Sequence, residues 1–213
     1  MEAINTKQVQ EMLIYVADKI IEQKSYLTEI DSKIGDGDHG IGMAGGMKKV
    51  KNKLEGQSFD NVYAVFETAG KAMMMSMGGA SGIIFGSLYL AGAKGMTAQT
   101  TLVPVKMAEL FRKSLTAIKE RGKAQVGDKT MVDALEPAVI AMEANADQGI
   151  LTMLKYAEEA AQKGVIETKQ YVAKYGRAKS LMERAIGYQD PGATSVWLIV
   201  KSMREYIENA YQQ

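Results

Sequence analysis

The sequence predicts an all-α fold, and three observations carry that prediction. Apolar residues recur at helical spacing in one segment after another, strand-type alternation is scarce, and only three prolines, at positions 104, 137 and 191, interrupt 213 residues. The first helix is the clearest. Val9, Met12, Leu13, Val16 and Ile20 fall at i, i+3, i+4, i+7 and i+11, one face of a helix that Asn5 or Thr6 can cap with help from Gln8 or Gln10. It is expected to run to about Ile30. A helix over 40–54 follows an acidic, Gly-rich turn. Ser58 or Asp60 then caps a segment reaching Met77, where Gly78-Gly79 break a pattern that resumes over 82–94. Thr101 and Pro104 read as the cap and first turn of a helix to about Arg121. Helices over 130–144 and 149–161 come next. Thr168 is placed to cap another to about Arg184, weakened in its middle by Gly176, and Asp190-Pro191-Gly192 opens the last, ending near Tyr211. The total is eight or nine helices and no strand. No linker and no repeat of solenoid period divides them, so 1–213 reads as one domain.

Composition narrows the function. A chain with 46% hydrophobic and 24% charged residues is globular and long enough to bury a core without staples. Twenty-six Lys+Arg against 25 Asp+Glu give no electrostatic reason to expect nucleic acid or anionic lipid as a partner. Zero Cys excludes disulfides, thiolate zinc sites and cysteine nucleophiles. The N-terminal MEAINTKQVQ lacks the apolar core of a signal peptide, and the weakly polar run over 82–93 is too short to span a bilayer. The expectation is a soluble, cytoplasmic protein.

Three loops look chemical. Asp31, Asp36 and Asp38 crowd three carboxylates into the turn ending at His39-Gly40, with enough Gly to fold tightly. Like charges this close need raised pKa values or a compensating cation, and hard divalent ions such as Mg²⁺ take oxygen ligands. The plainer alternative is that Asp and Gly serve here only as turn formers. Familiar motifs nearly fit and fail. Gly35-Asp36-Gly37-Asp38-His39-Gly40 matches G-x-G-x-x-G, but a helix precedes it where a dinucleotide fold needs a strand. An EF-hand starting at Asp36 would put Met47 where a bidentate Glu is required, and no P-loop lysine motif exists. The second loop, Gly78-Gly79-Ala80-Ser81-Gly82, exposes backbone N–H groups at a helix start and suits a phosphate, although a close helix crossing would use the same residues. The third region is Gly122, the Gly127-Asp128-Lys129-Thr130-Met131 turn, Arg177, and Asp190-Pro191-Gly192. Taken singly, each is a cap or turn, and neither Lys129 nor Arg177 has a role from residue type alone. His39, the only histidine, is a candidate phosphate donor, a phosphocarrier or a packed turn residue.

Read together, these loops resemble the L subunit of dihydroxyacetone kinase, the nucleotide-binding subunit of the bacterial phosphotransferase-dependent enzyme. The resemblance spans essentially the whole chain. It rests on Asp31-x4-Asp36-x-Asp38-His39-Gly40, Gly78-Gly79-Ala80-Ser81-Gly82, Arg121-Gly122-Lys123-Ala124, Gly127-Asp128-Lys129-Thr130-Met131, Gly176-Arg177-Ala178 and Gly187-x-x-Asp190-Pro191-Gly192-Ala193. It implies a barrel of eight antiparallel helices with ADP or ATP at one end. By the same resemblance, Asp31, Asp36 and Asp38 are the catalytic ligands of two Mg²⁺ ions. His39, Gly40, Ile41, Gly42, Ala80 and Ser81 contact phosphates, and Gly122, Met131, Arg177, Asp190, Pro191 and Gly192 make the remaining nucleotide contacts. One position departs from the family, which typically has a polar residue, often Asn, at Gly42; only backbone contact is expected there.

The resemblance also implies a mechanism and partners. Bound Mg·ADP is rephosphorylated in place by a phosphohistidine-bearing phosphotransferase M subunit, and the γ-phosphate passes to dihydroxyacetone held on a separate K subunit. Subunits of this kind can also contact a transcription regulator. Three carboxylates beside a polyphosphate require cations in any case, and catalysis by positioning needs no protein nucleophile. The rivals are an ATP-dependent kinase domain for another small ketose or for a fatty acid, and a non-catalytic nucleotide-binding regulator.

Overall fold

The computed structural model describes residues 2–211; Met1, Gln212 and Gln213, the ends of the expected 1–213 domain, lie outside the described residues. At Asn5 the expected capping box forms. Its side chain accepts from the Gln8 N–H and Gln8 Oε1 accepts from the Asn5 N–H, each at 2.9 Å. The helix it opens, α1 (Thr6–Glu22), does not run to Ile30. It stops at Gln23 (φ −86°, ψ 8°), and α2 (Lys24–Ile34) begins immediately. Periodicity hides the break, because buried Ile20 and buried Leu27 are two turns apart and keep to one face.

The next helix, α3 (His39–Leu54), follows the acidic turn. Asn61, rather than Ser58 or Asp60, caps α4 (Val62–Ser76), its side chain accepting from the Ala64 N–H at 3.0 Å. The fifth, α5 (Gly79–Ala93), begins three residues before the expected 82, since Gly79, Ala80 and Ser81 carry no large apolar side chain to register in a periodicity. Ile4–Asn5 (β1) pairs antiparallel with Thr101–Leu102 (β2), a ladder too short for alternation to reveal. Then come α6 (Pro104–Gly122), α7 (Val132–Ala144), α8 (Ile150–Glu167) and α9 (Pro191–Tyr211). Pro137 inside α7 leaves the Asp133 carbonyl without its helical donor. Gly164 of α8 packs on that carbonyl so closely that a Cβ would stand 2.0 Å from it.

The expected helix from Thr168 to Arg184 does not form. Instead α8 runs on to Glu167, a 3₁₀ turn takes Thr168–Gln170, and Arg177–Ala185 is a run of 3₁₀ turns broken at Met182 (φ +53°). Thr168 is no cap: its hydroxyl donates to the Val165 carbonyl at 2.6 Å and accepts from the Asp190 N–H at 2.9 Å. The segment also lacks an apolar face. Its only buried apolar residues are Ala173, Ala178 and Ala185, in a small cluster with Ile34 of α2 and the half-buried Leu181.

Around the core, α1 packs on α3, α3 on α4, α4 on α5, α5 on α6, α6 on α7, α7 on α8, α8 on α9, and α9 on α1; α2 lies against α3 and α9. Met12, Leu13, Met43, Met47, Phe66, Tyr89 and Phe111 are among the large side chains fully buried between them. No helix among the described residues is long and apolar enough to cross a membrane.

Candidate phosphate and metal site

The last turn of α2 and the turn after it gather the three acids. Asp31 is buried, Asp36 and Asp38 are exposed, and one carboxylate oxygen from each lies within 4.8 Å of the others. The His39 N–H donates to Asp31 Oδ2 at 3.1 Å, tying the start of α3 to the end of α2. Glycine makes this approach possible. A Cβ at Gly35 would stand 2.3 Å from Asp31 Oδ1, and one at Gly40 would stand 2.3 Å from both the Lys24 carbonyl and Thr28 Oγ1.

Arg177 reaches the cluster from the 3₁₀ segment. Its Nε lies 2.7 Å from Asp36 Oδ2 and a terminal nitrogen 3.8 Å from Asp38 Oδ2. Three carboxylates against one guanidinium leave two negative charges without a partner in the cluster. Desolvation and the neighbouring Asp36 charge hold the Asp38 carboxyl above its ordinary value. Oxygen-only donors with excess negative charge are the chemistry Mg²⁺ takes, so these residues fit that ion.

His39 joins three helix starts. Its Nε2 lies 2.8 Å from Ser195 Oγ in α9, and its ring packs tilted against Phe85 of α5 with centroids 5.8 Å apart. Ser195 Oγ also donates to the Pro191 carbonyl at 3.0 Å, so ring, hydroxyl and carbonyl form one chain of polar contacts at the start of α9. Burial lowers the imidazole pKa, while the neighbouring Asp31 charge and the Pro191 carbonyl oppose that shift.

Beside it, a Cβ at Gly42 would touch Met77 Cε at 3.4 Å, which places the start of α5 next to the start of α3. Gly78, Gly79, Ala80 and Ser81 are all exposed, and no atom lies within 4 Å of the Cβ positions at Gly78 and Gly79. The first N–H groups of α5 therefore open to solvent with the positive end of the helix behind them, an anion cradle. Ile41 is exposed on the first turn of α3. A Cβ at Gly122, at the end of α6, would stand 3.6 Å from Ile84 Cδ1, and one at Gly192 would stand 3.4 Å from Met131. The sequence candidates are thus brought to one end of the molecule, where α2, α4 and α6 finish and α3, α5, α7 and α9 start.

Asp190 is placed differently from the others. It is buried, its carboxylate accepts from the Ala193 N–H at 2.7 Å as the cap of α9, and burial pushes it up to about 7. It offers a ligand no free side chain; it shapes the Pro191-Gly192 turn. Two residues behind the site have structural roles that the sequence does not assign. Asp133 is buried and accepts from the Gly127 and Thr130 N–H groups at 2.6 Å each. Lys129 is 1% exposed with φ +59°, and its Nζ donates to the carbonyls of Thr168 and Tyr188, each at 2.5 Å. Nothing in residue type announces a buried lysine; its company in a tight Gly-Asp turn was the only available signal.

The chain is α-helical, with a carboxylate cluster that offers oxygen donors and an open helix start that offers N–H donors. The DAK2 domain model matches residues 33–205, and the chain belongs to the DAK2 domain family. Its relatives include free-standing subunits of similar length. It is 33% identical over 203 residues to the PEP-dependent dihydroxyacetone kinase, ADP-binding subunit DhaL, of Escherichia coli (strain K12), covering 94% of this chain and 97% of that subunit. It is 38% identical over 190 residues to the PTS-dependent dihydroxyacetone kinase, ADP-binding subunit DhaL, of Lactococcus lactis subsp. lactis (strain IL1403), covering 89% and 92%. The crystal structure of the dihydroxyacetone kinase from C. freundii in complex with AMP-PNP and Mg²⁺ matches with a TM-score of 0.74 at 26% identity. That match covers 96% of this chain and 35% of the kinase, so the chain spans about a third of that protein's length.

Proposed function

We propose that this chain, as a single domain over 1–213, is a cytoplasmic ADP-binding subunit of a phosphoenolpyruvate-dependent dihydroxyacetone kinase. The observation that carries the reading is the gathering of Asp31, Asp36 and Asp38 beside the open start of α5, within a chain that covers 97% of an ADP-binding subunit. The closed succession of α1 and α3–α9 reads as a barrel of eight antiparallel helices with the nucleotide at one end.

In this reading Asp31, Asp36 and Asp38 hold two Mg²⁺. The backbone of His39, Gly40, Ile41 and Gly42 and the first turn of α5 at Ala80 and Ser81 hold the phosphates. Arg177 leaves part of its charge free for a phosphate oxygen, while Gly122, Met131 and the Asp190-Pro191-Gly192 turn line the rest. When bound, Mg·ADP supplies the phosphoryl relay, from a phosphohistidine-bearing M subunit to dihydroxyacetone on a separate K subunit, with the metal screening charge during in-line transfer. The chain's own part is to fix the phosphates, present a preorganised electrostatic field and leave one face open to its partners, which include a transcription regulator. It supplies no nucleophile. The one imidazole is packed against Phe85 with its Nε2 on Ser195, which speaks against a phosphocarrier role.

The test is the nucleotide content of freshly purified protein. Near-stoichiometric ADP that survives gel filtration in Mg²⁺ and is lost with chelator is the expected result. An empty site that binds ATP and releases ADP freely would instead make the chain an ATP-dependent kinase domain for a small ketose. Asp36→Ala is expected to lower phosphoryl transfer in the reconstituted system at least ~100-fold. Unchanged flux would mean a non-catalytic binding protein.

A further inference from the structure

Arg177 belongs to a segment with little to hold it. Between residues 171 and 189 only Ala173, Ala178 and Ala185 are buried, and the Arg177 side chain is 70% exposed. An arginine on such a segment would sample many positions, and each ligand would have to bear the cost of ordering it. The geometry at the two ends of the segment removes that freedom. Lys129 Nζ donates to the carbonyls of Thr168 and Tyr188, one at each foot of the loop, and the Gly187 N–H donates to the Lys169 carbonyl at 2.7 Å between the same two feet.

Further along, the Lys174 N–H donates to the Asp128 carbonyl at 3.1 Å, Lys174 Nζ pairs with Asp128 Oδ1 at 2.7 Å, and the Tyr175 hydroxyl donates to the Lys123 carbonyl at 3.0 Å. All these partners lie on one turn, 123–129. Burying an ammonium is costly, and it is tolerated here because two carbonyls accept from it. Burial pulls the Lys129 pKa down, while the Asp190 and Asp133 charges hold it up.

We propose that Lys129 is a positioning residue: it clasps both feet of the 168–188 loop and thereby holds Arg177 at the Asp36–Asp38 edge of the site. The inference rests on the site's reading as a Mg·ADP site, and it gives a structural role to a lysine whose hydrogen bonds go to the feet of the loop.

The experiment is a double-mutant cycle read by the dissociation rate of Mg·ADP from the intact chain. Lys129→Met is expected to speed dissociation about 10-fold or more, the range seen when residues supporting a ligand shell are removed. In an Arg177→Ala background the same change is expected to add less than about twofold, because its effect runs through the arginine. An equal acceleration in both backgrounds would reduce Lys129 to general stabilisation and overturn the proposal. If Lys129→Met does not fold, Lys174→Ala tests the same clasp from an exposed position. A rise in dissociation rate of about two- to threefold that vanishes with Arg177→Ala supports it, and no rise overturns it. A wild-type chain that retains no nucleotide overturns the site's reading instead. The clasp is then judged by amide hydrogen exchange over 171–187, where faster exchange in the lysine variants supports it and unchanged exchange overturns it.

Discussion

Two glycine-rich turns meet at the site, and they use glycine for opposite reasons. In the acidic turn the glycines are forced by the chain itself: a Cβ at Gly40 would stand 2.3 Å from the Lys24 carbonyl and 2.6 Å from the Thr28 nitrogen. At the very start of α5 nothing crowds Gly78 and Gly79, whose Cβ positions meet no atom within 4 Å, and close packing begins only at Gly82, where a Cβ would stand 2.0 Å from the Met77 carbonyl. The first turn is packed so that the carboxylates stay together against their own repulsion. The second is bare so that its N–H groups can be approached by something outside the chain. One sequence feature therefore carries two physical meanings, and only the surroundings tell them apart.

The sharpest way to break this contrast is a matched pair of substitutions. Gly40→Ala must part α2 from α3 or displace backbone atoms, and a loss of at least about 3 kcal/mol in urea unfolding is expected. Gly78 sits at φ −72°, ψ 162°, an ordinary extended conformation, so Gly78→Ala is expected to leave stability unchanged or raise it by about 0.4–1 kcal/mol. The same variant is nevertheless expected to lose ADP faster, because the new methyl group occupies the open approach. Equal destabilisation by both changes would mean that the two turns are packed alike.

Much of this was legible in the sequence, and the failures have definite causes. Helical spacing located helices that bury a continuous stripe, as α1 does with Val9, Met12, Leu13, Val16 and Ile20, whereas α5 is buried all round over 85–89 and is marked instead by the glycines before it. The break at Gln23 was invisible because it preserves that stripe. The 168–184 segment misleads because Thr168 resembles a cap in sequence while its hydroxyl is committed to the Val165 carbonyl one turn back and to the Asp190 N–H across the fold. At the site, Asp31, Asp36 and Asp38 were legible because close like charges signal a cation. Lys129 and Asp133 were not, since their roles come from burial and from carbonyl and N–H partners that only the tertiary structure supplies.

The comparison extends from the exposed acids at the front of the site to the buried acid behind it. Burial pushes Asp190 up to about 7, with the Ala193 N–H and the Lys129 charge opposing that rise without cancelling it. A carboxyl that holds its proton more tightly folded than unfolded gives stability that is fully present below its unfolded pKa, about 3.9. That stability is lost as pH rises through about 7. Urea midpoints of the wild-type chain are therefore expected to fall between those two pH values. Asp190→Asn keeps an acceptor for the Ala193 N–H and removes the titration, so its midpoint is expected to fall less over the same window. Parallel profiles for the two proteins would show that Asp190 is ionised throughout and that Lys129, rather than burial, governs it.

The smallest effect is expected at Gly42, where this chain has no side chain and the resemblance to the dihydroxyacetone kinase L subunit implies a polar one. A Cβ there meets only Met77 Cε, at 3.4 Å, an ordinary contact with the flexible end of a thioether. Asn is also slightly better than Gly inside a helix, so Gly42→Asn is expected to change unfolding stability by less than about 0.5 kcal/mol. Its amide would add a donor beside the backbone N–H groups of α3, and one added hydrogen bond of about 1 kcal/mol slows Mg·ADP dissociation by roughly fivefold. Slower release at unchanged stability would show that this subunit holds its nucleotide with backbone contacts where its relatives add a side chain. Faster release would mean that the space beside Gly42 is needed by the phosphates themselves, drawing it into the same class as the bare glycines of α5.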